Sequence, residues 1–105
     1  MAIEVDIRHD TTINPNQSAF IRHKAAVLDK EFPDAEFIRV IIDRQRHNFI
    51  ASFEVQHKGM SVVKSEAEAE TFSIALDSAF LKVEKQLRRH REKTISQHQR
   101  TAPTQ

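Results

Sequence analysis

The chain of 105 residues carries 16 Lys and Arg against 15 Asp and Glu and has no cysteine, so disulfides and thiolate metal sites are excluded and a single domain is expected. Its 39% hydrophobic and 30% charged residues describe a globular protein with a heavily charged surface. No apolar run approaches the roughly 18 residues of a membrane span, and the start "MAIEVDIRHD" lacks a signal-peptide apolar stretch, so a cytoplasmic location is expected.

Ile3, Val5 and Ile7 alternate with Glu4, Asp6 and Arg8, the period of a strand with one buried face. In "INPNQ", Asn14 reads as a helix N-cap, Pro15 as the first helical residue and Gln17 as the capping-box partner. Ile21, Ala25, Leu28 and Phe32 then recur at helical spacing until Pro33 stops the helix. "AEFIRVIID" is β-branched, with Ile38, Val40 and Ile42 on one face and Arg39 on the other. "RQRHN" reads as a turn, His47 being a polar turn residue, and "FIASFEVQH" as a strand with Phe49, Ala51, Phe53 and Val55 inward. The chain's one glycine, Gly59, suits a tight hairpin before a short fourth strand in "MSVVKS". Glu66, Glu68 and Glu70 lead into the last helix, where their charge would favour its N-terminus.

That helix is the clearest element. Phe72, Ala75, Leu76, Ala79, Phe80, Val83 and Leu87 form one apolar stripe. From Thr94 to Gln105 there is no apolar periodicity and Pro103 opposes a helix, so a domain over residues 1–93 with a disordered tail over 94–105 is expected. The order β-α-β-β-β-α implies an α+β two-layer sandwich: a four-stranded antiparallel sheet with both helices on its apolar face. The first crossover is right-handed if the first two strands are parallel neighbours.

Net charge of +1 hides a segregation. Between Lys82 and Arg100, seven cations face two acids, a local balance of +5, whereas Glu66, Glu68, Glu70 and Asp77 precede them. At about 100° per residue, Lys82, Lys85 and Arg89 fall in a stripe roughly 60° wide opposite the apolar face, with Arg88 at its border. A helix C-terminus favours two or three cations through its dipole; six between Lys82 and Lys93 exceed that. The surplus reads as a ridge for a polyanion, phosphate being the natural match. Ile74 and Leu81 point to the polar side of the same helix. Arg39, Arg44 and Arg46 make a smaller basic cluster that could extend the footprint.

The six histidines never pair at helical spacing, so no metal site is expected. There is no phosphate-cradling glycine loop, no Ser/His/Asp order and no Tyr or Trp platform for stacking bases. Neither enzymatic activity nor a cofactor is expected.

The element order, "INPNQSAFIRHKAAVLDKEF" for the first helix and "ETFSIALDSAFLKVEKQLRRHREK" for the second resemble the ribosome hibernation-promoting factors over about residues 3 to 93. This family includes the ribosome-associated inhibitor A proteins and was once called the sigma-54 modulation proteins. The spacing of Lys24, Leu28 and Phe32, and the set Phe72, Ala75, Leu76, Asp77, Lys82, Gln86 and Leu87, carry the likeness. The resemblance implies a fold like the double-stranded-RNA-binding domain. It also implies binding to small-subunit ribosomal RNA in the mRNA and tRNA channel, with translation inhibited in stationary or stressed bacteria. The RNA-binding residues it implies are Lys24 on the first helix and Lys82, Lys85, Arg89, Arg91 and Lys93 on the second, with Arg88 where some members have no cation. The chain departs from the family at the turn Arg8-His9-Asp10, in the acidic "SEAEAE", and at Phe72, where tyrosine is common. Ending at Gln105, it is expected to be a short form without the long forms' dimerisation domain, monomeric when free, with no small-molecule substrate. Two other readings stay open on the residues alone: a general duplex-RNA-binding module, and a protein-interaction regulator of transcription.

Overall fold

The computed structural model describes residues 2–8, 11–57 and 62–100. The elements are β1 (Ala2–Ile7), α1 (Pro15–Glu31), β2 (Ala35–Gln45), β3 (Asn48–His57), β4 (Val63–Ala69) and α2 (Phe72–Arg100). Gly59 with its hairpin, and the turn residues His9 and Asp10, lie outside the described residues.

Helix α1 starts where its cap dictates. The Asn14 side chain accepts from the Gln17 amide at 2.7 Å, and the Gln17 side chain accepts from the Asn14 amide at 3.0 Å. This reciprocal pair satisfies two donors that the first turn leaves free. At the other end the Phe32 amide donates to the Leu28 carbonyl at 2.9 Å before Pro33 turns the chain.

The sheet order is β1-β2-β3-β4. It is mixed rather than antiparallel throughout: β1 runs parallel to β2, since a helix joins them, while the hairpins make β2–β3 and β3–β4 antiparallel. Rows of paired residues cross the sheet on its inner face, such as Val5, Val40, Phe53 and Ser65. Helix α2 covers β3 and β4, and α1 covers β2. Ile21, Ala25 and Leu28 of α1 and Ala75, Leu76, Ala79, Val83 and Leu87 of α2 meet the inner strand residues in one core. Phe53 and Phe80 touch edge to face, centroids 6.0 Å apart.

Three further sequence expectations are corrected. The β2–β3 turn is shorter than "RQRHN": pairing persists to Gln45 and Asn48, leaving Arg46 and His47 as a two-residue turn. Arg46 takes φ 59° to close it, a left-handed conformation that favours glycine. The fourth strand begins later and runs through the acidic stretch. Ser65 and Ala67 are buried and Glu66 and Glu68 exposed, a strand alternation, so these carboxylates do not sit in the first turn of α2. Small inward residues let α2 approach closely, and the Ser65 hydroxyl donates to the Ala79 carbonyl at 2.7 Å. Finally, α2 continues to Arg100, past the boundary expected at Lys93, because nothing between Lys93 and Arg100 breaks a helix; the first proline beyond is Pro103. Residues 101–105 lie outside the described residues.

Candidate nucleic-acid interface

The rows of the outer sheet face bring opposite charges together. Arg39 lies 2.8 Å from Asp6, 3.6 Å from Glu4 and 3.8 Å from Glu54, and Arg8 stands 3.9 Å from Asp6. These pairs follow from register, since Glu4, Arg39, Glu54 and Lys64 are successive partners across the four strands. The basic cluster expected from Arg39, Arg44 and Arg46 is therefore divided. Arg39 is held among carboxylates, Arg44 lies over the Phe49 ring at 5.1 Å on the helix side, and Arg46 is in the turn.

The helix layer has two kinds of cation. Lys24 and Arg88 belong to the seam between the helices. Lys24 contacts Asp77 at 2.7 Å and sits 4.8 Å from the Phe80 ring and 5.4 Å from that of Phe20. Arg88 reaches Glu31 at 3.0 Å and Glu84 at 3.5 Å. Glu84 is half-buried there, and its carboxyl is raised above its ordinary value, first by burial and then by the hydrogen bond and charge of Glu31; Arg88 and Lys24 oppose the shift.

Lys82, Lys85 and Arg89 are all exposed on the opposite flank of α2, the one that overhangs β4. The Lys82 ammonium donates to the Glu66 carbonyl at 2.9 Å, and Gln86 donates to the Lys64 carbonyl at 3.0 Å. Both carbonyls belong to the open edge of β4, so the ridge is fastened to the sheet as well as to the core, and the edge is blunted against pairing with another chain. Lys85 and Arg89 have no ion-pair partner among the described residues. The side chains of Arg91 and Lys93 lie outside the described residues. The structure thus groups three of the seven expected side chains and assigns two, Lys24 and Arg88, to interhelical bridges.

Helical spacing alone does not show which carboxylates face each cation, because that depends on α1 lying beside α2. The Glu31–Arg88 pair spans 57 positions of sequence and has no local signal. Ile74 and Leu81 are exposed, at 56% and 59%, as their place on the polar side of the helix implies.

Two solved structures share this architecture. A ribosomal subunit interface protein from Coxiella burnetii superposes with a TM-score of 0.78 at 20% identity, covering 88% of this chain and 99% of that one. The N-terminal domain of Thermus thermophilus Protein Y gives a TM-score of 0.72 at 25% identity, covering 86% of this chain and 99% of that one. No curated protein matches the sequence. Residues 3–95 match the family described as Sigma 54 modulation protein / S30EA ribosomal protein. With nearly the whole domain inside that match, this chain belongs to the Sigma 54 modulation protein / S30EA ribosomal protein family.

Proposed function

We propose that the protein is a ribosome-associated factor that binds small-subunit ribosomal RNA in the channel for mRNA and tRNA and inhibits translation in stationary phase or stress. Family membership supports the association with ribosomes. The observation that carries RNA binding is the flank formed by Lys82, Lys85 and Arg89. It is solvent-exposed, rigidly mounted on a core helix, and held to β4 through Lys82 and Gln86. Each cation of this flank can neutralise one backbone phosphate and release its counterion, and that release supplies much of the affinity of proteins for nucleic acids. Lys24 and Arg88 contribute by holding α1 against α2, and Arg91 and Lys93, later in the same helix, are proposed as further phosphate contacts. The protein acts without a catalytic step, in the cytoplasm where ribosomes are, as a monomer when free. No helix among the described residues is long and apolar enough to cross a membrane.

The test is co-sedimentation with small subunits over a salt series. The logarithm of the binding constant should fall linearly with the logarithm of salt concentration, and changing Lys82, Lys85 and Arg89 together to Ala should flatten the slope by about 0.7–0.9 per lost phosphate contact. Failure to sediment with ribosomes at low salt would remove this reading. Equal affinity for ribosomes and for short duplex RNA would favour a general duplex-RNA module instead.

A further inference from the structure

A second surface lies at the end of the molecule where both helices begin. β1, β2 and β4 all run in one direction, so α1, which follows β1, and α2, which follows β4, start at the same end as the β2–β3 turn. There Phe20, Phe49 and Phe72 line an open groove of about 500 Å³ together with Asn16, Thr71 and Ser73. Its size is that of a small-ligand site. Phe72 is 6% exposed and forms the floor. Phe49 stands edge-on to it, with centroids 5.6 Å apart and planes at 87°. Phe20 and Phe49 are only half-buried.

Charge decides what such a groove can hold. No carboxylate lines it. The Arg44 guanidinium lies over the Phe49 ring at 5.1 Å, and the Lys24 ammonium stands 5.4 Å from the Phe20 ring. Arg44 is exposed; its backbone amide donates to the Asp43 carboxylate at 2.7 Å, while its guanidinium makes no ion pair among the described residues. Lys24 is engaged with Asp77. An apolar peptide would use the rings and leave the cations without a role. A ligand that combines a planar ring with an adjacent anion uses both, and the amide and hydroxyl groups of Asn16, Thr71 and Ser73 can meet its polar edge. Unpaired bases are held in this manner, stacked on aromatic side chains beside cations that meet the backbone.

We propose that this groove takes one unpaired nucleotide of an RNA strand, its base against Phe20 and Phe49 and its phosphate toward Arg44. The proposal rests on the reading that the domain binds RNA. It adds a single-stranded contact, at the opposite end of α2 from most of the ridge, to the backbone contacts proposed there. The exposed Glu70, one residue before Thr71, tempers the local potential.

The experiment follows backbone amides of the isotope-labelled full chain by NMR while a short oligoadenylate is added, and in parallel a short blunt RNA duplex. The oligoadenylate should shift Asn16, Phe20, Phe49, Thr71 and Ser73. Phe20→Leu and Phe49→Leu should each weaken it about tenfold, the effect of losing one stacked base. Arg44→Ala, an exposed change that spares the core, should weaken it about fivefold, and Glu70→Gln should strengthen it about twofold. Shifts confined to the surroundings of Lys82, Lys85 and Arg89, or an Arg44→Ala variant that binds like wild type, would overturn the groove. Ribosome co-sedimentation of the ridge variant is read separately. Groove shifts with no ribosome binding would sink the broader reading alone, and ribosome binding without groove shifts would sink this one alone.

Discussion

Lys82 serves the fold and the ridge at once, and this makes it different from its neighbours. Its ammonium holds the Glu66 carbonyl, so Lys82→Ala should lower stability by about 0.5–1 kcal/mol, the net worth of one hydrogen bond, as well as weaken RNA binding. Lys85→Ala and Arg89→Ala, with no such partner among the described residues, should stay within about 0.5 kcal/mol of wild type in chemical denaturation while losing affinity. Equal stability losses in all three variants would contradict the assignment. Arg46 offers a different residue-scale test. A left-handed conformation costs a side-chain-bearing residue about 1–2 kcal/mol, part of which glycine returns as lost chain entropy. Arg46→Gly should therefore raise stability by about 0.5–1 kcal/mol, seen as a higher melting temperature, and a lower one would show that the turn is unstrained. Glu84 gives a pH signature. Because its folded carboxyl titrates above the ordinary 4.5, the folded state holds the proton more tightly than the unfolded chain. Its contribution is thus most favourable below that value and is lost as pH rises through the folded one. Glu84→Gln should stabilise the protein at neutral pH and make no difference in acid well below the ordinary value. A gain of equal size at both would show that charge is not the cause.

At the scale of elements, α2 is fixed by what lies beneath it rather than by its own length. Leu76 is fully buried, and Phe80 is 6% exposed, in edge contact with Phe53 and capped by the Lys24 ammonium. Leu76→Ala or Phe80→Ala should cost on the order of 2–5 kcal/mol, a large share of the roughly 5–15 kcal/mol that holds a domain together. A melting curve matching wild type for either would mean that α2 faces the sheet differently. Strand β4 carries a comparable constraint, since its inward Ser65 and Ala67 leave room for α2 while its open edge is closed by Lys82 and Gln86.

Considered whole, the molecule is a sheet with charges paired on one side and a helix layer with cations offered on the other. Helix α2 has 29 residues, about 43 Å at 1.5 Å each, whereas β4 beneath it has seven, about 23 Å. The last described residue of α2 in the core is Leu87. We propose that the segment beyond Lys93 tunes whether bound ribosomes pair, while the domain over residues 1–93 supplies inhibition. Truncation after Lys93 should leave inhibition in a purified translation system nearly unchanged and alter the share of paired ribosomes on a gradient. Loss of inhibition would instead put the segment in the primary binding surface.

Most of the architecture is legible in the amino-acid sequence, because each element carries its own local signal. The Asn14–Gln17 cap, the period-2 strands and the seven-residue stripe of α2 depend only on neighbours in sequence, and they name the core almost residue by residue. The alternation of Glu66 and Glu68 is legible too, but a run of carboxylates before a helix has two local explanations, and only pairing with β3 selects the strand. The interface divides the same way. That Lys82, Lys85 and Arg89 share a flank follows from helical geometry alone. That Lys24 and Arg88 are spent on Asp77, Glu31 and Glu84, and that Phe20, Phe49 and Phe72 meet around one groove, required the packing of α1 beside α2. Contacts between residues dozens of positions apart leave no periodic trace in the chain; they exist only once the core has brought its elements together.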